Sequence, residues 1–173
     1  MKRTKVFLSF VMILCFGMTA VAALFAGDLK ISFKSVPKID DSFEFLQLRT
    51  KLQESRKPAE KNNVHFAIAE YYLKVNDLHD AQAALAQHIN SEVVDITTLL
   101  ANVYLYKIAN YRHDQAQVDR LKKEIFDNKF VLLFEKFKQI NYTSLLGNTY
   151  EVRHFVDRIE VFLNGDVLET FGS

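Results

Sequence analysis

Residues 65–89, HFAIAEYYLKVNDLHDAQAALAQHI, decide the architecture. Apolar residues recur at three- and four-residue spacings on either side of a short polar corner. Ala67, Ile68, Tyr71, Tyr72 and Val75 form one stripe, and Ala81, Ala84, Leu85 and His88 form a second. Such a stripe is the core-facing side of an amphipathic helix. The corner Val75-Asn76-Asp77-Leu78 turns the chain within a few residues, which forces the two helices to pack antiparallel as a hairpin. Ala109-Asn110-Tyr111-Arg112 predicts a second corner of the same kind.

Working outward, the same spacing predicts helices over 42–56, 59–75, 78–90, 92–111, 114–126 and 129–140. Asp40, Asp41 and Ser42 offer an N-cap to the first, and Lys57-Pro58 separates it from the next, with Pro58 suited to a first helical turn. Slid against itself by 34 residues, segment 65–80 meets 99–114 with five identities: Ala67/Ala101, Tyr72/Tyr106, Asn76/Asn110, His79/His113 and Asp80/Asp114.

That offset is the period of the tetratricopeptide repeat, and residues 62–127 resemble that family, more closely in the first copy than in the second. Ala69 matches the small residue of the repeat's first helix, Tyr72 the bulky one, and Ala81 the small residue of its second helix. In the second copy Val103 and Gln115 stand at these places, and Asn replaces the usual turn glycine in both. The resemblance implies a concave groove, lined by the first helix of each pair, that holds a peptide or helix of another protein. Its lining residues would be Asn63, Phe66, Glu70, Lys74, Thr97, Tyr104 and Lys107, with Phe66 equally suited to a buried contact with the preceding helix. The helix over 129–140, rich in Phe130, Val131, Leu133, Phe134, Phe137 and Ile140, would cap the stack, or its Lys129, Lys136 and Lys138 would touch a membrane.

Beyond residue 146 the pattern changes to period two. Residues 158–163 and 166–171 flank Asn164-Gly165, the dipeptide that accepts the positive φ angles of a two-residue hairpin turn. Counting outward, Phe162 pairs with Val167, Val161 with Leu168, Ile159 with Thr170, and Glu160 opposes Glu169 as a like-charge pair. Residues 150–155 supply a candidate third strand. Residues 29–35, LKISFKS, also alternate, and a pairing of 29–34 with the C-terminal strands is expected because neither has another evident partner.

At the other end, Lys2, Arg3 and Lys5 precede an uncharged run over residues 6–26. As a helix, that run extends roughly 31 Å, the thickness of a bilayer's hydrocarbon core. The basic residues stay on the cytosolic side, so the rest of the chain is expected across the membrane, either anchored by this helix or released after cleavage near Ala22. Cys15, the one cysteine of 173 residues, lies within the run, so no disulfide or thiolate metal site is expected in the exported part. Asn141-Tyr142-Thr143 fits a glycosylation sequon, which matters in a eukaryotic source alone. A net charge of +1 gives no basic field for nucleic acid, and five Gly and two Pro are too few for a many-stranded sandwich.

Zinc, nucleotide and hydrolase motifs are absent from the sequence, and His65, His79, His88, His113 and His154 fall on separate elements. His79-Asp80 and His113-Asp114 read as helix starts, where Asp favours the dipole. No cofactor, metal or catalytic residue is expected. The chain reads as mainly α, a tetratricopeptide-like α-solenoid of antiparallel hairpins. It divides into a signal or anchor (1–26), a juxtamembrane strand and linker (27–41), a helical domain (42–140) and a small C-terminal β-hairpin element (141–173). The expected role is a membrane-targeted, non-catalytic adaptor that binds another protein on the non-cytosolic side. The alternatives are a structural subunit of a cell-envelope assembly or an enzyme with an unfamiliar site.

Overall fold

The computed structural model describes residue 31 and residues 41–89, 94–126, 134–135 and 138–172. The described helices are α1 Asp41–Glu54, α2 Pro58–Lys74, α3 Leu78–Ile89, α4 Ile96–Tyr111 and α5 Gln115–Phe126, followed by β1 Gln139–Thr143, β2 Thr149–His154, β3 Arg158–Leu163 and β4 Asp166–Gly172. Local chemistry sets the helix ends. Pro58 opens α2. Asp95 caps α4 in a reciprocal box with Thr98, which starts that helix later than its apolar periodicity suggests. Asp77 accepts from the Asp80 N–H at 3.1 Å and Asp114 from the Gln117 N–H at 3.1 Å, so Asp77, rather than Asp80, caps α3.

Each corner uses a residue with positive φ, Asn76 at 60° and His113 at 57°. The following N–H of Asp77 reaches back to Tyr72 O, and that of Asp114 to Ala109 O, the bond that closes a helix C-terminus. These corners correct the expected period. Lys74 to Tyr111, Leu78 to Gln115 and Ile89 to Phe126 are each 37 residues apart, so the hairpins correspond at 37 rather than 34. Asn76 and His113 hold the positive φ, and Asp77 and Asp114 cap the next helix, at places 37 residues apart, so all five identities at 34 lie three residues out of structural register.

The helices pack in chain order, and α2 also touches α4. α4 is buried at every position from Thr97 to Leu105, because other helices and the sheet cover it. α1 lies on α2 through Phe45, whose ring is 5.0 Å from Tyr71 and 5.4 Å from Tyr72.

The β element is larger than a hairpin: an antiparallel meander in the order β1-β2-β3-β4. Gln139 and Ile140, expected at the end of the last helix, belong to β1, so the sheet begins before residue 141. Gln139-Ile140-Asn141-Tyr142-Thr143 alternates polar and apolar residues, and pairing with β2 overrides the helical spacing that precedes it. Most of the helix expected over 129–140 lies outside the described residues. The register of β4 is also corrected. Phe162 pairs with Val167 as expected, but a bulge then shifts the strand, so that Val161 meets Glu169, Glu160 meets Thr170 and Ile159 meets Phe171. The bulge separates Glu160 from Glu169 and carries Phe171 onto the buried face, where it is 1% exposed.

Ile31 is not in a strand and sits half-buried against the core; the rest of 29–34, with its expected pairing, lies outside the described residues. So does the apolar run over 6–26. Among the described residues no helix is long and apolar enough to cross a membrane.

Candidate functional site

The face of α2 and α4 that would line a groove carries Asn63, Phe66 and Glu70 on one helix and Tyr104 and Lys107 on the other. The sheet lies across it. Tyr142 of β1 donates its hydroxyl to Asn63 Oδ1 at 3.0 Å. Phe66 has no exposed surface; its ring lies 5.6 Å from Tyr150, 6.0 Å from Tyr142 and 6.1 Å from Tyr104. Perpendicular and tilted ring pairs at these distances add to the gain from burial.

Glu70 is the polar centre of the contact. Tyr150 donates to its Oε1 at 2.6 Å and Asn148 Nδ2 donates to the same oxygen at 3.0 Å. The single Tyr150 proton being used there, the Tyr104 hydroxyl donates to Tyr150 at 2.8 Å. Burial lifts the Glu70 carboxyl to about 7, against the opposing pull of hydrogen bonds from Tyr150, Ser144 and Asn148. Burial also pushes the phenols of Tyr104 and Tyr150 well above their ordinary value. A sealed carboxyl of this kind titrates near neutrality.

The hairpin turn reaches the same centre. Asn164 Nδ2 donates to Asn148 Oδ1 at 3.1 Å while Asn164 Oδ1 accepts the Thr149 N–H at 3.0 Å. At the other end Lys107 Nζ donates to the Leu168 carbonyl at 2.9 Å and to Glu169 Oε2 at 3.1 Å, so the bulge is held from α4. Thr97 is placed elsewhere. Its hydroxyl donates to Asp95 at 2.6 Å and accepts from His88 Nε2 at 2.9 Å, joining α3 to α4 inside the helical layer. Lys74 lies half-buried in the last turn of α2. Of the seven residues expected to hold a partner, Asn63, Phe66, Glu70, Tyr104 and Lys107 converge on the chain's own sheet.

Tyr142, Asn148, Tyr150 and Asn164 complete this site and were not foreseen. Their signal is weak in the sequence: Tyr142 alternates with Ile140, and Tyr150 with Val152, on the inner face of strands too short to announce their partner.

Magnitudes decide whether the sheet is a removable occupant. Tyr150, Val152, Ile159, Val161, Leu163 and Phe171 are each at most 2% exposed. Burying each contributes roughly 1.5–3 kcal/mol. Together they outweigh several-fold what ionising one carboxyl can supply, so the sheet is part of the core.

Openings among the described residues lie on the helical side. A cleft of about 400 Å³ between α1 and α3 is bordered by Phe45, Arg49, His65, Tyr72 and Asp80. One of about 170 Å³ between α3 and α5 includes Arg112, which is bonded to Gln82. Burial and Lys61 lower the His65 pKa. Among the described residues no three His, Cys, Asp or Glu side chains group as a metal site. His79 bonds Asp80 at 2.9 Å on the surface, and His154 stacks on Phe134 at 4.4 Å.

Compared with family models, with curated proteins and with solved structures, the chain matches none.

Proposed function

We propose that this chain is a non-catalytic protein-interaction module targeted to a membrane and displayed on its non-cytosolic side, built from a short tetratricopeptide-like array roofed by its own sheet. The observation that carries the reading is what the inner face of α2 and α4 does: Lys107 takes a backbone carbonyl, Glu70 takes a tyrosine hydroxyl and an amide, and Phe66 takes aromatic rings. These are contacts that a helical face can make to a polypeptide, here to the chain's own sheet. Because the sheet occupies this face, another protein would be received on the helical side, where the cleft between α1 and α3 combines aromatic walls with Arg49 and Asp80. The run over 6–26 supplies the targeting.

The test is recovery of the full tagged chain from solubilised membranes. Membrane retention after an alkaline wash, protection from protease added on the cytosolic side, and a protein recovered in fixed ratio that is lost in Arg49→Glu are the expected results. A cytosolic protein with nothing recovered beyond background contradicts the reading.

A further inference from the structure

The two edges of the sheet differ in kind. β4 carries a bulge and the charges of Asp166 and Glu169, and Lys107 occupies the Leu168 carbonyl. Such devices keep a strand edge from pairing with another chain. β1 has none of them. Gln139–Thr143 has no charge, proline or glycine, and pairs with β2 at all five positions without a shift.

Hydrogen bonds at its ends show which groups point outward. The Lys138 carbonyl accepts from the His154 N–H at 2.9 Å, and the Ser144 N–H donates to the Asn148 carbonyl at 2.9 Å. Even-numbered residues therefore face β2. By the period of two, the N–H and C=O of Gln139, Asn141 and Thr143 point away from the sheet. No backbone hydrogen bond among the described residues reaches them. On the inner face, Ile140 and Tyr142 are half-buried, whereas Tyr150 and Val152 beside them are sealed. An apolar strip stays half open along a row of backbone groups that no described residue pairs.

We propose that β1 pairs antiparallel with β1 of a second copy of this chain, about a two-fold axis through Asn141, to make one continuous sheet. In this register Asn141 faces its own copy and Gln139 faces Thr143, so the three outward residues exchange both their backbone bonds. Ile140 comes against Tyr142, the closer, non-hydrogen-bonded pair, and closes the strip. The uncharged strand sets no like charges across the axis, a condition that Asp166 and Glu169 deny to β4. Five residues bury little surface, so the pairing is weak in free solution and strengthens when two copies share a membrane plane. The pairing does not depend on any other protein being bound.

The test uses the full chain with Cys15→Ser, purified and reconstituted in phosphatidylcholine vesicles. Directly opposed residues of a hydrogen-bonded pair have Cα atoms about 5.5 Å apart, inside disulfide range. Two copies of Gln139 would instead be displaced by four residues, roughly 13 Å at about 3.4 Å each. Mild oxidation should cross-link Asn141→Cys to itself, and Gln139→Cys to Thr143→Cys in a mixed sample. Gln139→Cys alone and Asp166→Cys should give at least about tenfold less. Asn141→Lys, which places like charges on the axis, should abolish energy transfer between labelled copies while leaving the circular dichroism unchanged. Equal cross-linking at all positions, or none at Asn141→Cys, overturns the proposal. Cross-linking of Asn141→Cys in native membranes to a different protein, and not to itself, also overturns it and assigns the edge to a foreign strand. Failure of the interaction reading leaves the purified cross-linking pattern unchanged, so the two are separable.

Discussion

Glu70 shows how one side chain ties stability to pH. Its carboxyl lies at about 7 in the fold against an ordinary 4.5, so between these values the folded state holds a proton that the unfolded chain has released. Stability therefore falls as pH rises through this window, by up to about 3 kcal/mol, and is flat in this term above pH 7. Glu70→Gln keeps an acceptor for Tyr150 and removes the charge. It should lose that slope in urea titrations from pH 4.5 to 8 and be the more stable protein at pH 8. Equal slopes in the two proteins would contradict the assignment. Lys107 ties β4 to α4. Lys107→Ala should destabilise by roughly 1–2 kcal/mol, because Glu169 and the Leu168 carbonyl lose a partly shielded cation. Lys107→Glu with Glu169→Lys should recover part of this, since the ion pair returns but the bond to the carbonyl does not. Neither the carboxyl nor the ammonium could be paired with its strand partner from the sequence: Glu70 and Lys107 were legible as neighbours on one face, while Asn148, Tyr150 and Glu169 lie 60 or more residues further along.

At the scale of elements, helix existence was readable and helix ends were chemical. The expected 42–56, 59–75, 78–90 and 114–126 fall close to α1, α2, α3 and α5, because apolar spacing and corner residues agree there. α4 begins later than expected, at the residue Asp95 caps. Asp95→Ala removes the box with Thr98 and the bond to Thr97, and should cost about 1–2 kcal/mol in thermal or urea unfolding. β1 was hidden for a physical reason: five alternating residues follow a longer stretch at helical spacing, and only pairing with β2 selects the strand. The Asn164-Gly165 turn was plain because its two residues must hold φ of 54° and 93°. Gly165→Val should destabilise by about 1–2 kcal/mol through backbone strain, since the space around that position is open. The bulge in β4 was not readable from the turn outward; its causes are Phe171 seeking the core and Glu169 meeting Lys107, both contacts with helices.

At the scale of the whole molecule, a helical array with an open inner face is under-buried, and this chain completes it with its own sheet. The local periodicity of α2 and α4 reveals that a face exists but not what covers it, so the trough was legible and its occupant was not. The sheet and the inner helices should unfold as one cooperative core, with Phe66, Tyr104 and Tyr150 at its centre. Hydrogen exchange of the full chain in detergent micelles, followed by mass spectrometry across increasing urea, measures this directly. Amides of β2, β3 and α4 should open with one common free energy and one common urea dependence. A sheet that exchanges through a much smaller opening while α2 and α4 stay protected would contradict it, for it would then be a detachable cover over a helical domain that stands alone.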